Sequence, residues 1–448
     1  MNYVPHTDAQ KEEMLERIGV ENIEDLFEPV PADHRFPSVE LSKPVSEMGI
    51  MRELREMAES NRDLQHASCF LGAGAYHHYV PSVVDHVVSR SEFYTAYTPY
   101  QPEVSQGTLQ SIFEYQTMIC DLTVMEVSNA SHYDGATAMA ESVIMAHSVS
   151  RGRRTKVVIS PTVHPEYLAT VRTYIQGMEM DIVAPEDPST DLDWLIDQVD
   201  DDTACLILQN PDFLGRIHDL NDVAEKAHAH DALFVVACAP ISLGLLKPPG
   251  EMDADIVLGE GQPLGNSLNY GGPYLGFFTC KKDYVRQMAG RLVGETTDVE
   301  SSRGYVLTLA TREQHIRRER ATSNICTNEG LNALAAAAYL AALGKSGLKQ
   351  VAELCYHKAH YAAKTIDELD NYAVDFEMPF FKEFVVRCPI PIAEINDRLL
   401  RDYDILGGYD LGQAYPQMQD HMLVCVTEMN TAEQIDDFVQ ALEEVGRS

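Results

Sequence analysis

From about Ser105 onward the apolar positions fall into two alternating periods. Leu109, Ile112, Phe113, Ile119 and Cys120 recur at helical spacing, and a second helix is expected to start near Asp134. Short apolar runs at 157–160, 180–183, 203–208, 233–238, 254–258 and 275–280 read as strands. Helical stretches between them begin near His164-Pro165, Leu192 and Leu220. Strands that are apolar throughout need cover on both faces, so the alternation predicts an α/β fold built on a large, mainly parallel sheet. After Asn328 an Ala-rich helix runs to Gly344, a C-terminal cap, and a long helix follows. The runs 383–388 and 422–426 then read as strands, with a helix from Ile392 between them. The last helix opens at Thr431, which forms a capping box with Gln434 and carries Ile435, Phe438, Val439, Leu442 and Val445 at helical spacing. This tail is a smaller C-terminal α+β domain.

The N-terminal stretch differs. It reads as short helices, Asp8–Ile18 among them, interrupted at Pro29, Pro31, Pro37 and Pro44. It has little core of its own and is expected to pack on another domain or on a partner. The expected division is an N-terminal helical segment at 1–70, a large α/β domain at 71–325 and the C-terminal domain at 326–448.

Composition narrows the function. No run in the 448 residues approaches the roughly 20 apolar residues of a membrane span, and the first residues have neither a basic region nor an apolar core, so no signal peptide is expected. Nine cysteines stand singly, with no CxxC pair, several inside apolar strand-like runs. They read as buried small hydrophobes in a reducing, cytoplasmic setting, not as a disulfide frame or a zinc site. The net charge of −35 argues against nucleic acid, which needs a basic footprint. Lysine is scarce, 12 of the 34 basic residues. So acidic a surface suits a salt-loving source, although a merely acidic cytosolic protein has the same composition.

Three loops carry candidate chemistry. The densest runs Tyr94-Thr-Ala-Tyr-Thr-Pro-Tyr-Gln-Pro-Glu-Val-Ser-Gln-Gly107. It is stiff, rich in hydroxyl and amide groups, and enters a helix whose first turn offers N–H groups near Ser105, which suits an anionic or zwitterionic ligand. A packed structural turn would look the same. Upstream, Leu71-Gly-Ala-Gly-Ala-Tyr-His-His-Tyr-Val-Pro81 is a weak dinucleotide signal, and adjacent His77 and His78 cannot easily share a metal. Small-polar loops at 128–137 and 321–328 precede further helices, where a phosphate or an ordinary cap would fit equally. An absence is the most informative feature. In an aminotransferase-like sheet domain the glycine-rich loop 259–276 would carry the lysine that binds pyridoxal phosphate, but none occurs between Lys247 and Lys281. The carboxylate expected for the pyridine nitrogen is missing from Val236-Ala-Cys-Ala-Pro240 as well. Lys247, in a proline-flanked loop, is the nearest alternative.

The segments Gly72-Ala-Gly-Ala-Tyr76, Tyr97-Thr-Pro-Tyr-Gln-Pro-Glu-Val-Ser-Gln-Gly107, Glu114-Tyr-Gln-Thr-Met118, Ser128-Asn-Ala-Ser131, Gly271-Gly-Pro-Tyr-Leu-Gly276 and Asn324-Ile-Cys-Thr327 resemble glycine decarboxylase, the P-protein of the glycine cleavage system. Their order and spacing are similar to the N-terminal half of its single-chain form and to the α subunit of its split form. The resemblance implies the aminotransferase-like fold type I and an α2β2 assembly in which the β subunit carries the lysine and the pyridoxal phosphate. It implies decarboxylation of glycine, with the aminomethyl group passing to the lipoyl arm of the H-protein. On motif and loop chemistry, Tyr97, Tyr100 and Gln101 are expected to reach the shared site, with His77 and His78 second and Ser105 and Asn324 as possible cofactor contacts. Two rivals stay open: a self-sufficient pyridoxal-phosphate lyase or transaminase, and a non-catalytic scaffold paralogue.

Overall fold

The computed structural model describes residues 5–38 and 40–447, so the first four residues of the N-terminal stretch lie outside it. The chain divides into two compact units, Met1–Arg62 and Asp63–Ser448. In the first, the helix Asp8–Ile18 is closed at its start by the reciprocal Thr7–Gln10 capping box and at its end by Gly19 in the left-handed region. A second helix, Glu47–Glu59, is capped by Ser46. Neither helix contains a buried residue, and Met48, Met51, Leu54 and Met57 are all exposed.

The second unit is built on a seven-stranded sheet. Its strands are β1 (Val127–Ser128), β2 (Lys156–Ile159), β3 (Asp181–Val183), β4 (Thr203–Gln209), β5 (Leu233–Ala237), β6 (Ile256–Glu260) and β7 (Gly276–Cys280), in the order β1-β7-β6-β5-β4-β2-β3. The five strands from β6 to β3 are mutually parallel. β7 runs antiparallel to both β6 and β1. A parallel return needs a long crossover, usually a helix, and the glycine-rich connection from β6 to β7 holds only the single 3-10 turn Asn269–Gly271. That is why a sheet expected to be mainly parallel ends in an antiparallel edge.

Alternate residues of the buried strands feed two cores. Leu206, Leu208, Phe234, Val236 and Val257 pack with Tyr115, Ile119 and Ala336 on one face. Cys205, Ile207, Val235 and Ile256 pack with Met139, Val143, Val171 and Ile175 on the other. The first face is covered by α1 (Gln106–Thr123) and the long helix α4 (Gly330–Asp367), the second by α2 (Gly135–Val149) and α3 (Pro165–Ile175). The expected helix end at Gly344 is present: its φ of +59° is non-helical and divides α4 into two helical runs. The hairpin Leu292–Thr297/Arg303–Thr308 had no clear sequence signal. Two glutamines of α1 hold it: the Gln106 amide bonds both N–H and C=O of Tyr305, and Gln116 does the same to Val293.

A four-stranded antiparallel sheet, Ala373–Val374, Glu383–Arg387, His421–Cys425 and Tyr409–Asp410, forms the smaller layer. The helices Ile392–Tyr403 and Ala432–Gly446 share its core, where Phe438 stacks on Phe70 with ring centroids 4.0 Å apart. The predicted Thr431–Gln434 capping box is present. Because Phe438 is fully buried, Phe438→Ala is expected to cost about 3–5 kcal/mol. Urea unfolding at fixed salt checks this, and a loss below about 1 kcal/mol would show that the core collapses around the gap.

Candidate functional site

In open α/β sheets ligands gather at the carboxyl ends of the strands. Here β4, β5 and β6 end at Gln209, Ala237 and Glu260, and these residues with Gly74, Tyr76, His164 and Tyr167 line a small cavity of about 40 Å³. The GxG loop closes over it. His164, the N-cap of α3, accepts from the Glu166 N–H at Nδ1, so its Nε2–H donates to the Ala73 carbonyl at 2.9 Å. That tautomer is neutral, and burial lowers the pKa of the ring in agreement.

The loop is tied down by a buried polar chain. The Tyr76 hydroxyl donates to Glu383 Oε2 at 2.8 Å and the Ala73 N–H donates to Glu383 Oε1 at 2.7 Å. The Lys382 Nζ lies 3.3 Å from the centre of the Tyr76 ring and donates to His78 Nε2 at 3.0 Å. With Nε2 accepting, Nδ1 carries the proton and donates to Glu428 Oε2 at 2.6 Å. Lys382 is 2% exposed and His78 is 6% exposed, which makes this a core network. Burial, with the Lys382 charge beside it, lowers the His78 pKa to about 4. Burial works to raise the Glu428 carboxyl, but hydrogen bonds from His78 and the Tyr79 N–H overcome it and hold the pKa at about 2. The Cys355 thiol donates to the same carboxylate at 3.4 Å, and burial pushes it up to about 12.

A second cluster surrounds the tyrosine-proline loop. Tyr97 is 75% exposed and Tyr100 is 42% exposed. The Tyr100 hydroxyl accepts from Arg291 Nη2 at 2.7 Å, and Arg291 is buried against Glu313 with Nε 3.3 Å from Oε2. Arg291 also donates to the Cys326 carbonyl, and its hydrogen bond to the Cys326 sulfur lowers that thiol's pKa. Thr98 and Thr327 join their hydroxyls at 2.7 Å. Loop 321–328 is anchored beneath by Ser323, which donates to the buried Glu141 at 2.6 Å, and burial raises the Glu141 pKa to about 7. A cavity of about 230 Å³ opens between the two loops, lined by Tyr94, Tyr97, Ser131, Arg291, Cys326 and Asn328 among others.

The residues singled out from sequence therefore part company. Tyr97 lines the open cavity and Tyr100 borders it through Arg291. Gln101 and Asn324 are exposed on the same two loops. Ser105 is half-buried and its side chain does not cap α1. His77 and His78 lie outside the cavity lining, His78 inside the core network. Lys247 is exposed, bonds Asn221 and is not among the residues that line the strand-end cavity. Sequence reasoning missed Arg291, Lys382, Glu383, Glu428 and Glu260. A lone charge inside an apolar strand run, as at Glu260 and Glu383, was the available signal.

A mixed sheet with a small antiparallel layer at its end, loops meeting over the carboxyl edge, defines the aminotransferase-like fold type I. A Burkholderia pseudomallei sphingosine-1-phosphate lyase shares it at 17% identity and TM-score 0.66, covering 93% of this chain and 94% of its own. Residues 1–442 match the family model for the glycine cleavage system P-protein, and the chain belongs to that family. A probable glycine dehydrogenase (decarboxylating) subunit 1 from Thermomicrobium roseum is 54% identical over 447 residues, 99% of either chain. A relative of the same description from Geobacillus sp. is 50% identical over 98% of either chain. A crystal structure of glycine decarboxylase in inhibitor-bound form is similar at 42% identity and TM-score 0.89, covering 99% of this chain and 100% of that one.

The His78–Glu428 pair makes a checkable prediction. Both folded pKa values lie below the ordinary 6.5 and 4.5, so the fold binds fewer protons than the unfolded chain. Stability from the pair is complete above about pH 6.5, falls as pH drops toward 4 through His78, and falls again between about 4.5 and 2 through Glu428. Glu428→Gln is expected to cost about 1.5–3 kcal/mol near neutrality, the worth of a hydrogen bond to a charged group, and to flatten the lower limb, as read by urea unfolding against pH.

Proposed function

We propose that the chain is subunit 1 of a two-subunit glycine decarboxylase, working in an α2β2 assembly whose β subunit carries the pyridoxal phosphate. The reaction is decarboxylation of glycine, with the aminomethyl group delivered to the lipoyl arm of the H-protein. Family membership along nearly the whole chain carries this reading, joined to a strand-end pocket that does not fit the cofactor. That pocket holds no lysine, and its volume is far below the roughly 300 Å³ at which ligand sites begin. The cofactor supplies the electron sink for loss of the carboxylate, from the partner's side.

This chain contributes one wall of the shared site. Tyr97 presents an exposed phenol, and Tyr100 is aimed by its bond to Arg291. Gln101 and Asn324 stand beside them as exposed polar groups, with Ser105 at the foot of the loop. His78 holds the GxG loop to Glu428, and His77 stands next to it, half-buried. The unburied methionine-rich helix Glu47–Glu59 supports contact with the partner subunit. The free cysteines support a reducing cytoplasm, and the charge of −35 supports a salt-rich one. No helix among the described residues is long and apolar enough to cross a membrane.

Tyr97→Phe and Tyr100→Phe, each assembled with the β subunit, are expected to lower carbon dioxide release from glycine about tenfold or more, the cost of one hydrogen bond to a charged group. Unchanged activity in an intact assembly would make the chain a scaffold. Borohydride reduction of the isolated chain with pyridoxal phosphate is expected to leave no stoichiometric label. A single labelled lysine, at Lys247 or elsewhere, would make it an enzyme in its own right. Unfolding on withdrawal of salt is expected from self-repulsion, and full stability without salt would remove the salt-loving reading.

A further inference from the structure

The small pocket at the strand ends is filled in a particular way. Helix α2 begins at Gly135 after the N-cap Asp134, and its first N–H points to the carboxyl end of β6. There Glu260 Oε2 accepts from the Gly135 N–H at 3.0 Å, while Oε1 accepts from Gln262 N at 2.9 Å and Leu275 N at 3.1 Å. Three backbone donors from three separate segments converge on one carboxylate. A helix N-terminus with converging N–H groups is the arrangement by which proteins hold a phosphate.

We propose that this is a phosphate-ligand pocket sealed by the chain's own carboxylate, with Glu260 standing where the ligand's anion would sit. Tyr167 completes the seal: a Cβ built on Gly135 would lie 2.3 Å from its hydroxyl oxygen, so the phenol fills the space beside the helix start. Among the described residues no lysine or arginine lines the pocket, His164 is held neutral and Asp134 flanks the same turn. At β5, Ala237, Cys238 and Ala239 line the pocket and offer a bound ring no carboxylate. The burial that raises the Glu260 pKa to about 8 works against the three N–H bonds, which favour the anion. The group is therefore held at the helix by geometry and not by a cationic partner. The inference rests on this chain's geometry alone, and it can fail while the reading of the shared site stands.

The test uses the full-length chain and inorganic phosphate, with chloride at matched ionic strength as the control. Wild type is expected to show no saturable rise in Tm with millimolar phosphate. Glu260→Ala, which frees all three N–H groups, is expected to gain one, by a few degrees. Glu260→Asp, which keeps a carboxyl group at the helix start, is expected to stay unresponsive. If Glu260→Ala folds only when phosphate is present, that rescue is the same gain. A saturable response in wild type would overturn the proposal. So would a response in Glu260→Asp equal to that of Glu260→Ala, a folded Glu260→Ala that ignores phosphate, or one that phosphate cannot refold.

Discussion

Burial of the Lys382 amine is the constraint around which the strand-end region is arranged. At 2% exposure it must find partners inside the protein, and it finds the Tyr76 ring and His78 Nε2. That contact assigns the histidine's tautomer and passes a hydrogen bond on to Glu428, while Tyr76 passes another to Glu383. Glu428 and Glu383 accept at the two ends of this polar chain. They also join residues more than 300 positions apart, because Glu383 and Glu428 belong to the small C-terminal layer and Tyr76 and His78 to the loop over the large sheet. A loop with two glycines and no regular structure of its own gains its shape from this network, a case of a fully satisfied polar chain specifying one arrangement.

Two of the clefts among the described residues differ in character. At the strand ends, Glu260 takes up three backbone N–H donors and about 40 Å³ remain. At the tyrosine-proline loop about 230 Å³ remain, and the Ser131 hydroxyl, 1% exposed, has no partner among the described residues. In the first cleft the carboxylate is occupied by the chain's own N–H groups. The second keeps hydrogen-bonding groups in reserve, with Tyr97 turned outward and Tyr100 braced by the Arg291–Glu313 pair. Such a division suits a chain that completes a site instead of owning one.

Much of the architecture was legible because its signals are local. The strands read at 203–208 and 233–238, the helix start at His164-Pro165 and the capping box at Thr431 all depend on neighbours within a few residues, and each is found. The absent lysine was legible for the same reason. The hairpin Leu292–Thr297/Arg303–Thr308 escaped because it is held by glutamine side chains from α1, nearly 200 positions earlier. His78 was read as a site candidate on its neighbours alone; its burial depends on Glu428 and Lys382, which no spacing rule connects to it.

By itself the sequence determined the α/β order, the lack of a Schiff-base lysine and the two loops, 94–107 and 321–328, that carry the exposed polar chemistry. These follow from periodicity and residue type, which are properties of short windows. Only the tertiary structure decided that the two loops meet, that Arg291 aims Tyr100, and that a glutamate at the end of β6 sits on the N-terminus of α2. Each of these brings together groups 125 or more positions apart in the chain, and whether a charge there is exposed or buried, partnered or spare, is fixed by the packing that surrounds it.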